Sequence, residues 1–397
     1  MPQILPRFDF KVAFAAAQDI GRVRQISEDV QRCVPETGVF IVADGMGGQA
    51  GGKEAAGIAV DAVEKSFRSE RTQAMLEAYA TDPSLDRRRD VLGRLRRAVD
   101  HAHEAVQAAA AAKPELAGMG TTLDIVALLR DKAFIAHVGD GRVYLARAQA
   151  TLQLTQDHTD FALKKAHGKI RAAARANASA RLSSAVGAAQ APKPDLLCIE
   201  VGRGDRVLVC SDGVHGQLSG EAQLSEILRV GDATQAANAL VDAVRKPGRD
   251  NATSVVLDIG DPFVKRPAKD RGLSMSDLAA VQRSALLNGL SDAAVLYMLS
   301  AAVELEVEIG STVAQAVAND LAAYVVIEGL LELPNGRSVS DGALLFPESL
   351  IGASVDRLPV VKQAARLLRI RRDDFGELCE ADPSLGLQLY RRLAEHL

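Results

Sequence analysis

The sequence predicts an α+β fold in which antiparallel sheets carry helices on their outer faces. Strand patterns and helix patterns come in blocks and do not alternate regularly, which favours antiparallel sheets over a parallel α/β sheet. The apolar stretches 121–130 and 133–138 are joined at Asp131-Lys132 and predict a hairpin. At 397 residues the chain is too long for one ordinary core, so two domains are expected.

Composition excludes several classes of protein. A formal net charge of −4 gives no general attraction to nucleic acid or to anionic lipid. The four cysteines lack CxxC spacing, which predicts reduced thiols and argues against a disulfide framework or a zinc site. The N-terminus has no basic region followed by an apolar run, and no window reaches about 18 uninterrupted apolar residues. We therefore expect a cytoplasmic protein without a membrane or nucleic-acid partner.

The first part of the chain contains short predicted strands and two longer predicted helices. The apolar stretch Val12 to Ala17 predicts a first strand, and a second ends at Asp44. A helix is expected from Lys53 to Phe67, and the segment 86–112, without Pro and rich in Arg, Ala, Glu and Gln, predicts a long helix. The polar segment 160–185 predicts a helical insertion or flap. Later strands are predicted at Leu196–Val201, Arg206–Cys210 and Thr253–Ile259.

A break after Asp261-Pro262 divides the chain into domains. We expect a first domain at 1–262, a charged linker at 263–276 and a second domain at 277–397. The second domain is predicted to begin with a helix around 277–300. The elements expected after it are a strand at 303–309, strands at 324–327 and 330–333 flanking Gly329, a hairpin at Asn335-Gly336, and two closing helices, the last at about 384–397 with Leu385, Leu389, Leu393 and Leu397 on its apolar face.

Four aspartates share one local design. Asp44, Asp140, Asp212 and Asp250 each follow or precede a predicted strand and stand beside Gly or Asn. One such residue alone is more often a turn former than a ligand. Four together, with the acidic pair Glu28-Asp29, favour a site for hard cations such as Mg²⁺ or Mn²⁺, which prefer oxygen ligands. Two such ions ~4 Å apart can lower the pKa of a bridging water and stabilise a phosphoryl displacement.

Seven motifs in order over residues 22–256 identify a family. The strings RVRQISEDV, VFIVADGMGG, GMGTTL, HVGDGRVYL, LTQDHT, VCSDGV and RDNATSVV resemble the bacterial branch of the metal-dependent type 2C (PPM) Ser/Thr protein phosphatases. The resemblance implies a β-sandwich flanked by helices, with a phosphorylated protein as substrate and metal-activated water as the nucleophile. It also implies two ions of Mn²⁺ or Mg²⁺, with a weaker third ion.

The resemblance carries site roles onto individual residues. Asp44 would bridge both ions, and the carbonyl of Gly45 would bind one of them. Asp212 and Asp250 would complete the shell of the other ion, with Glu28 contributing through water. The third ion would lie at Asp140, and Arg24 would bind the phosphate with its planar fork. The catalytic residues expected from these roles are Arg24, Asp44 and Asp212.

The sequence departs from the family pattern at three positions. Ser27 stands where Asn is usual, and Gly141 replaces the Ser of the usual GDSR string. Met46 occupies the position at which eukaryotic relatives carry a His proposed as general acid, so the proton donor is unassigned. His137 and His158 are isolated histidines at strand ends, which are more often packing or turn residues than catalytic groups.

From about residue 285 the order of elements resembles a cyclic-nucleotide-binding domain, a β-roll with flanking helices. In that family a Glu and an Arg nine residues later hold the ribose and the cyclic phosphate, and Glu348 and Arg357 have this separation. Pro347 and Leu358-Pro359 replace the small residues of the phosphate cradle and remove backbone donors. Two hypotheses stand for this domain: cyclic-nucleotide binding, and docking or homodimerisation through the leucine face of the final helix.

A second hypothesis from another class concerns the whole chain. A catalytically weak phosphatase-like sensor or scaffold would bind metal or phosphoprotein and signal through the C-terminal domain. The complete set of ligand aspartates favours the enzyme, whereas the altered GDSR string favours the sensor.

Overall fold

The chain divides into two compact units, Met1–Asp270 and Arg271–Leu397. The computed structural model describes residues 2–47, 51–147, 150–160, 181–246, 248–260, 275–299, 302–313, 321–353, 358–381 and 383–397. The predicted flap at 160–185 and the predicted linker at 263–276 lie largely outside these residues. No helix in the described ranges is long and apolar enough to cross a membrane.

Two antiparallel sheets form the first unit. The first has the strand order β1-β2-β12-β11-β8-β9, and the second has the order β10-β7-β6-β4-β3 with β5 beside β4. The rings of Phe14 on β2 and Phe40 on β4 meet edge to face at 5.2 Å between the two sheets, which identifies a sandwich. The strands are β1 (Gln3–Ile4), β2 (Lys11–Asp19), β3 (Asp29–Val34), β4 (Val39–Met46), β5 (Gly120–Thr121), β6 (Leu123–Leu129), β7 (Lys132–Val138), β8 (Arg142–Arg147), β9 (Ala150–Gln153), β10 (Asp195–Glu200), β11 (Asp205–Cys210) and β12 (Ala252–Ile259).

Helices cover the outer face of each sheet. On the second sheet, the first helix packs against β4, with Ala56, Ala59 and Val60 fully buried, and the third helix packs against β7 and β10. On the first sheet, the sixth helix packs its alanines and Leu240 against β2 and β12. The helices of the described part of this unit are α1 (Gly51–Arg68), α2 (Glu70–Thr81), α3 (Leu85–Ala112), α4 (Asp212–His215), α5 (Glu221–Leu228) and α6 (Ala233–Arg245), with a 3-10 turn at Pro114–Leu116.

The helices predicted at 53–67 and 86–112 are confirmed within two residues. The strand Asp29–Val34 and the helix Glu70–Thr81 were missed by the pattern analysis. The helix was nonetheless marked in the sequence, because Ser69 caps it by accepting a hydrogen bond from the backbone N–H of Thr72. A capping box likewise begins α6, where Asp232 and Gln235 exchange side-chain-to-backbone hydrogen bonds.

The second unit is built on one antiparallel sheet of five strands. Its strand order is β13-β17-β14-β15, and β16 also pairs with β14. A cluster that includes Tyr324, Val326 and Leu367 forms its core. Its elements are β13 (Ala302–Val307), β14 (Ala322–Glu332), β15 (Ser338–Val339), β16 (Leu344–Leu345), β17 (Val360–Arg371), α7 (Met275–Gln282), α8 (Asp292–Leu299), α9 (Arg372–Ala381), α10 (Pro383–His396) and a 3-10 helix at Pro347–Ile351.

Two of the predicted elements of this unit need correction. The single helix expected at 277–300 is two helices, because turns end the first and Ser291 caps the second by accepting from the N–H of Ala294. The two strands expected around Gly329 are one strand whose register shifts there, with φ of +112° at the glycine. The hairpin at Asn335-Gly336 is confirmed.

The leucine face of the final helix is not a free surface. Leu385, Leu389 and Leu393 are buried in the unit, and only Leu397 of the predicted face is exposed. The face that the sequence analysis assigned to homodimerisation therefore packs within the chain itself. Homodimerisation by another surface stays a prediction.

Candidate active site

One cleft of about 460 Å³ in the first unit contains all the residues that the phosphatase resemblance singled out. It lies where β4, the β7–β8 turn, the end of β11 and the turn before β12 meet at one end of the sandwich. Residues more than 200 positions apart come together there because all four segments end at the same edge of the sandwich. The cleft is lined by Arg24, Glu28, Asp44, Gly45, Asp140, Asp212 and Asp250, among others.

The backbone of Asp44 is fixed by the two threonines of the GMGTTL motif. The N–H of Asp44 donates to Oγ1 of Thr122 at 2.9 Å, and its carbonyl accepts from Oγ1 of Thr121 and from the N–H of Thr122, both at 2.9 Å. Gly45 follows, and a Cβ there would lie 2.0 Å from the carbonyl oxygen of Gly52. The glycine is thus required by close backbone packing, which holds the residue after Asp44 against the start of α1.

The carboxylates of the cleft destabilise one another. Burial, together with the charges of Asp29, Asp212 and Asp140, raises the pKa of Asp44 well above its ordinary value. Burial and the charge of Asp250 raise the pKa of Asp212. Burial and the charge of Asp212 raise the pKa of Asp140 to about 7. The cleft therefore concentrates carboxylates whose charged forms are disfavoured by burial and by neighbouring carboxylates.

Asp29 lies directly behind Asp44, opposite it in the β3–β4 ladder. Its Oδ2 accepts hydrogen bonds from Ser211 Oγ at 2.8 Å and Thr253 Oγ1 at 2.7 Å, whereas Oδ1 is buried with no hydrogen-bond partner. Burial is the main cause that raises its pKa to about 6. The side chain ties β3 to β11 and β12 beneath the cleft.

Arg24 contacts two of the predicted metal ligands. Its Nη2 lies 2.8 Å from Oδ1 of Asp250, and its Nη1 lies 3.5 Å from Oε2 of Glu28. The hydrogen bond to Asp250 is the main cause that raises the pKa of Arg24. The side chain is 44% exposed, so the guanidinium lies at the mouth of the cleft and faces solvent.

The donor set fits hard divalent cations. The converging side chains offer carboxylate oxygens, and Oε1 of Glu28 is buried with no hydrogen-bond partner among the described residues. Among the residues that the structure describes, no three His, Cys, Asp or Glu side chains form a metal-ligand cluster by themselves. Ions held here would need backbone carbonyls and water in their shells, which is how Mg²⁺ usually binds.

Asn251 holds the loop that carries Arg24 and Glu28, and the sequence analysis assigned it no role. Its Oδ1 accepts from the N–H of Glu28 at 2.8 Å, and its Nδ2 donates to the carbonyls of Ile20 at 2.8 Å and Ile26 at 3.0 Å. The side chain is 3% exposed. Its place next to Asp250 in the RDNATSVV motif was the feature of the sequence that could have indicated this role.

The replacement of the GDSR serine by Gly141 has a steric explanation. A Cβ at Gly141 would lie 2.0 Å from Oδ2 of Asp124, so the carboxylate occupies the space that a serine side chain would need. Asp124 is fully buried, its Oδ1 lies 2.7 Å from Nδ1 of His137, and its Oδ2 has no hydrogen-bond partner. Position 141 is therefore coupled to a buried Asp–His pair between the sheets.

The histidines near the site contact other residues of the sandwich. His137 pairs with Asp124, and Nε2 of His158 lies 3.1 Å from Oδ2 of Asp195. Neither is among the described residues that line the cleft. His215, which the sequence analysis did not consider, donates from Nε2 to the carbonyl of Asp140 at 2.9 Å, and burial lowers its pKa to about 4. A neutral His215 therefore positions the Asp140 turn.

The predicted nucleotide residues belong to the second unit. Glu348 is on the 3-10 helix Pro347–Ile351, and Arg357 lies outside the described residues. Phe346, which precedes this helix, has φ of 54°.

Comparisons with known proteins agree with the cleft. Residues 25–245 match the model of the family described as protein phosphatase 2C. The chain is 30% identical over 259 residues to the serine/threonine protein phosphatase PstP of Mycobacterium tuberculosis, a match that covers 65% of this chain and 47% of that relative. The chain thus spans about half the length of this curated relative.

Two solved structures share the fold of the first unit. The catalytic domain of PstP in complex with two manganese ions aligns with a TM-score of 0.53 at 30% identity, covering 63% of this chain and 99% of that one. PppA of Pseudomonas aeruginosa aligns with a TM-score of 0.53 at 26% identity, covering 62% of this chain and 97% of that one.

Proposed function

This chain belongs to the protein phosphatase 2C family, and from that premise we propose that it hydrolyses phosphoserine and phosphothreonine in proteins with Mn²⁺ or Mg²⁺. The observation that carries the proposal is the convergence, on one cleft, of the seven residues singled out by the sequence motifs. The two manganese ions in the PstP complex support the choice of metal.

Each ion would be held by its own set of residues of the cleft. Asp44 and the Gly45 carbonyl would hold one ion, Asp44, Asp212 and Asp250 would hold the other, and Glu28 would contribute through water. Asp140 would hold a weaker third ion. When bound, such ions lower the pKa of a water molecule and stabilise the oxyanions of an in-line phosphoryl displacement. The raised pKa values of Asp44, Asp140 and Asp212 support this division, because a cation would relieve the repulsion that raises them.

Arg24 would orient the substrate phosphate. Its planar fork suits two phosphoryl oxygens, and its exposed position at the cleft mouth lets a substrate reach it. In the structure the fork is engaged by Asp250 and Glu28. A cation drawn to those carboxylates would weaken both ion pairs and leave the guanidinium for the phosphate.

The test is phosphate release from a phosphothreonine peptide by the purified full chain, with and without Mn²⁺. We expect Mn²⁺-dependent turnover, and a loss of at least ~100-fold in Asp44→Asn because a carboxylate that holds the ions is neutralised. Asp86→Asn is the matched control, since Asp86 is an exposed aspartate on α3. Full activity in Asp44→Asn would overturn the metal assignment. Thermal stabilisation by Mn²⁺ without turnover of any phosphopeptide would favour the sensor or scaffold.

We propose that the second unit is a regulatory or dimerisation domain that resembles a cyclic-nucleotide-binding β-roll without its phosphate cradle. Pro347 begins the 3-10 helix at the point where the cradle would need a backbone N–H. We therefore expect neither cAMP nor cGMP to change turnover or melting temperature of the full chain. A saturable thermal shift with cAMP would contradict this proposal and leave the phosphatase assignment intact.

A further inference from the structure

Four apolar side chains stand at the mouth of the acidic cleft. Val23, Ile26, Met46 and Leu182 line the same cavity as Arg24 and are called the apolar rim here. Val23 is 70% exposed, Ile26 37% and Met46 36%, whereas Leu182 is half-buried. Single exposed apolar residues are ordinary on a protein surface. A group of four that encloses the approach to a charged cleft is not scattered in that way.

The loop that carries Val23 and Ile26 is held in one conformation on its inner side. The N–H groups of Arg22 and Val23 donate to the carbonyl of Gly248 at 2.7 and 3.3 Å. The carbonyl of Ile26 accepts from Nδ2 of Asn251 at 3.0 Å. Since the backbone of this loop is tied to the turn before β12, the exposed side chains of Val23 and Ile26 are carried on a segment that needs little backbone ordering when a ligand binds.

A ligand that contacts the rim must also fit the charged cleft beside it. Val23 precedes Arg24 in the sequence and Ile26 follows it by two residues, and all three line the same cleft. The group that carries a phosphate bound by Arg24 is therefore placed beside apolar surface. A peptide with an apolar side chain next to its phosphorylated residue matches both features, because its charge meets the cation and its apolar side chain meets the rim.

We propose that the apolar rim selects phosphopeptides with an apolar residue adjacent to the phosphoserine or phosphothreonine. This inference rests on the proposed phosphatase function and adds a substrate class to it. Burial of a flanking side chain against the rim favours leucine over serine by about tenfold in kcat/KM, the usual discrimination of an apolar pocket.

The test uses two phosphothreonine peptides that differ only in the residues flanking the phosphothreonine, leucine in one and serine in the other. Turnover of p-nitrophenyl phosphate, which has no flanking residue, is measured on every variant, and each peptide kcat/KM is divided by it. The wild-type full chain is expected to prefer the leucine peptide about tenfold. Val23→Ser/Ile26→Ser is expected to lose most of that preference. Val230→Ser is the control, because Val230 is 46% exposed in the same unit and does not line the cleft; it is expected to keep the preference.

Several outcomes would overturn the proposal. Equal hydrolysis of the two peptides by the wild type removes the selectivity while leaving the phosphatase function in place, and so does a preference that survives in Val23→Ser/Ile26→Ser. Self-association of the wild type that this variant abolishes, measured by light scattering, assigns the rim to a second copy of the chain. Absence of Mn²⁺-dependent release from every substrate, p-nitrophenyl phosphate included, overturns the proposed function and this inference with it. Thermal unfolding of each variant shows that it is folded.

Discussion

The two ends of strand β11 differ in how their charged side chains are paired. The end at Asp205 and Arg206 is called the paired end here, and the end that leads to Asp212 and the cleft is called the acidic end. At its beginning, Asp205 binds Arg147 through both carboxylate oxygens at 2.9 and 2.8 Å, and Arg206 donates to Asp258 Oδ2 at 3.0 Å. Just past its other end, Asp212 lies near Asp44. Burial raises the pKa of both, and the charge of Asp250 adds to the effect at Asp212 as the charges of Asp29 and Asp212 do at Asp44.

The difference separates charge that supports the fold from charge that supports function. Arg206 is fully buried and also donates to the carbonyls of Leu228 at 2.6 Å and Gly231 at 2.7 Å, so its donors are satisfied by the chain. At the acidic end Asp44, Asp140 and Asp212 are only partly buried. The cation that reaches Asp250 and Glu28 there is Arg24, which is itself half-exposed. A buried charge without a partner is costly. That end of the sandwich is therefore less stable than it would be with bound cations.

Removing the cation from the paired end should have the largest effect on stability. Arg206→Met leaves Asp258 buried without its partner and frees backbone carbonyls near α5, so we expect the free energy of unfolding to fall by ~3–5 kcal/mol. Urea denaturation at neutral pH measures the change. Arg87→Met, which breaks an exposed ion pair with Asp82, is the control and should change stability little. A loss in Arg206→Met no larger than in the control would contradict the role of this end.

Removing a charge from the acidic end should raise the free energy of unfolding. Because the pKa of Asp140 in the folded chain is raised to about 7, the folded state keeps a proton that the unfolded state has released. The contribution of Asp140 to stability is thus present below the unfolded pKa and is lost as the pH rises to about 7. In metal-free buffer at pH 8, Asp140→Asn should be more stable than the wild type by ~2–4 kcal/mol, and at pH 4 the difference should vanish.

Thermal unfolding across that pH range, with a chelator, measures the Asp140 effect. Saturating Mn²⁺ should then stabilise the wild type more than the variant, because ligand binding to the folded state adds to its stability. A variant that is less stable than the wild type at pH 8 without metal would show that Asp140 is already neutralised by the chain.

The acidic end could be predicted from sequence because its signals are local. Each of Asp44, Asp140, Asp212 and Asp250 stands beside a Gly or Asn at a strand end, and the ordered motifs identified the family before any strand pairing was known. The cleft brings these residues together. Metal binding by them stays a prediction.

The paired end and the supporting contacts could not be predicted in this way. Arg206 and Asp258 are 52 residues apart and meet only because β11 and β12 pair in one register. The contacts of Asn251 with Ile20 and Ile26 likewise depend on how the first loop folds back. In the second unit, helix periodicity alone did not reveal the break before Ser291, and the leucine face gave no indication of which surface it covers.

The smallest expected effect concerns Asp124, a carboxylate near the cleft whose partner is a histidine of the chain. Asp124 binds His137, and its second oxygen fills the space beside Gly141. In Gly141→Ser the new Cβ would overlap that oxygen, so we expect a loss of ~1–3 kcal/mol in the free energy of unfolding and weaker binding of Mn²⁺ near Asp140. Asp124→Ser removes the obstructing oxygen, and in that background Gly141→Ser should cost less, which a double-mutant cycle in urea measures. Additive losses would mean that the two positions are independent and that the glycine in the GDG string has another cause. A combined loss smaller than the sum of the two single losses would instead show that the paired carboxylate Asp124, and not the metal ligands, determines which residue position 141 tolerates.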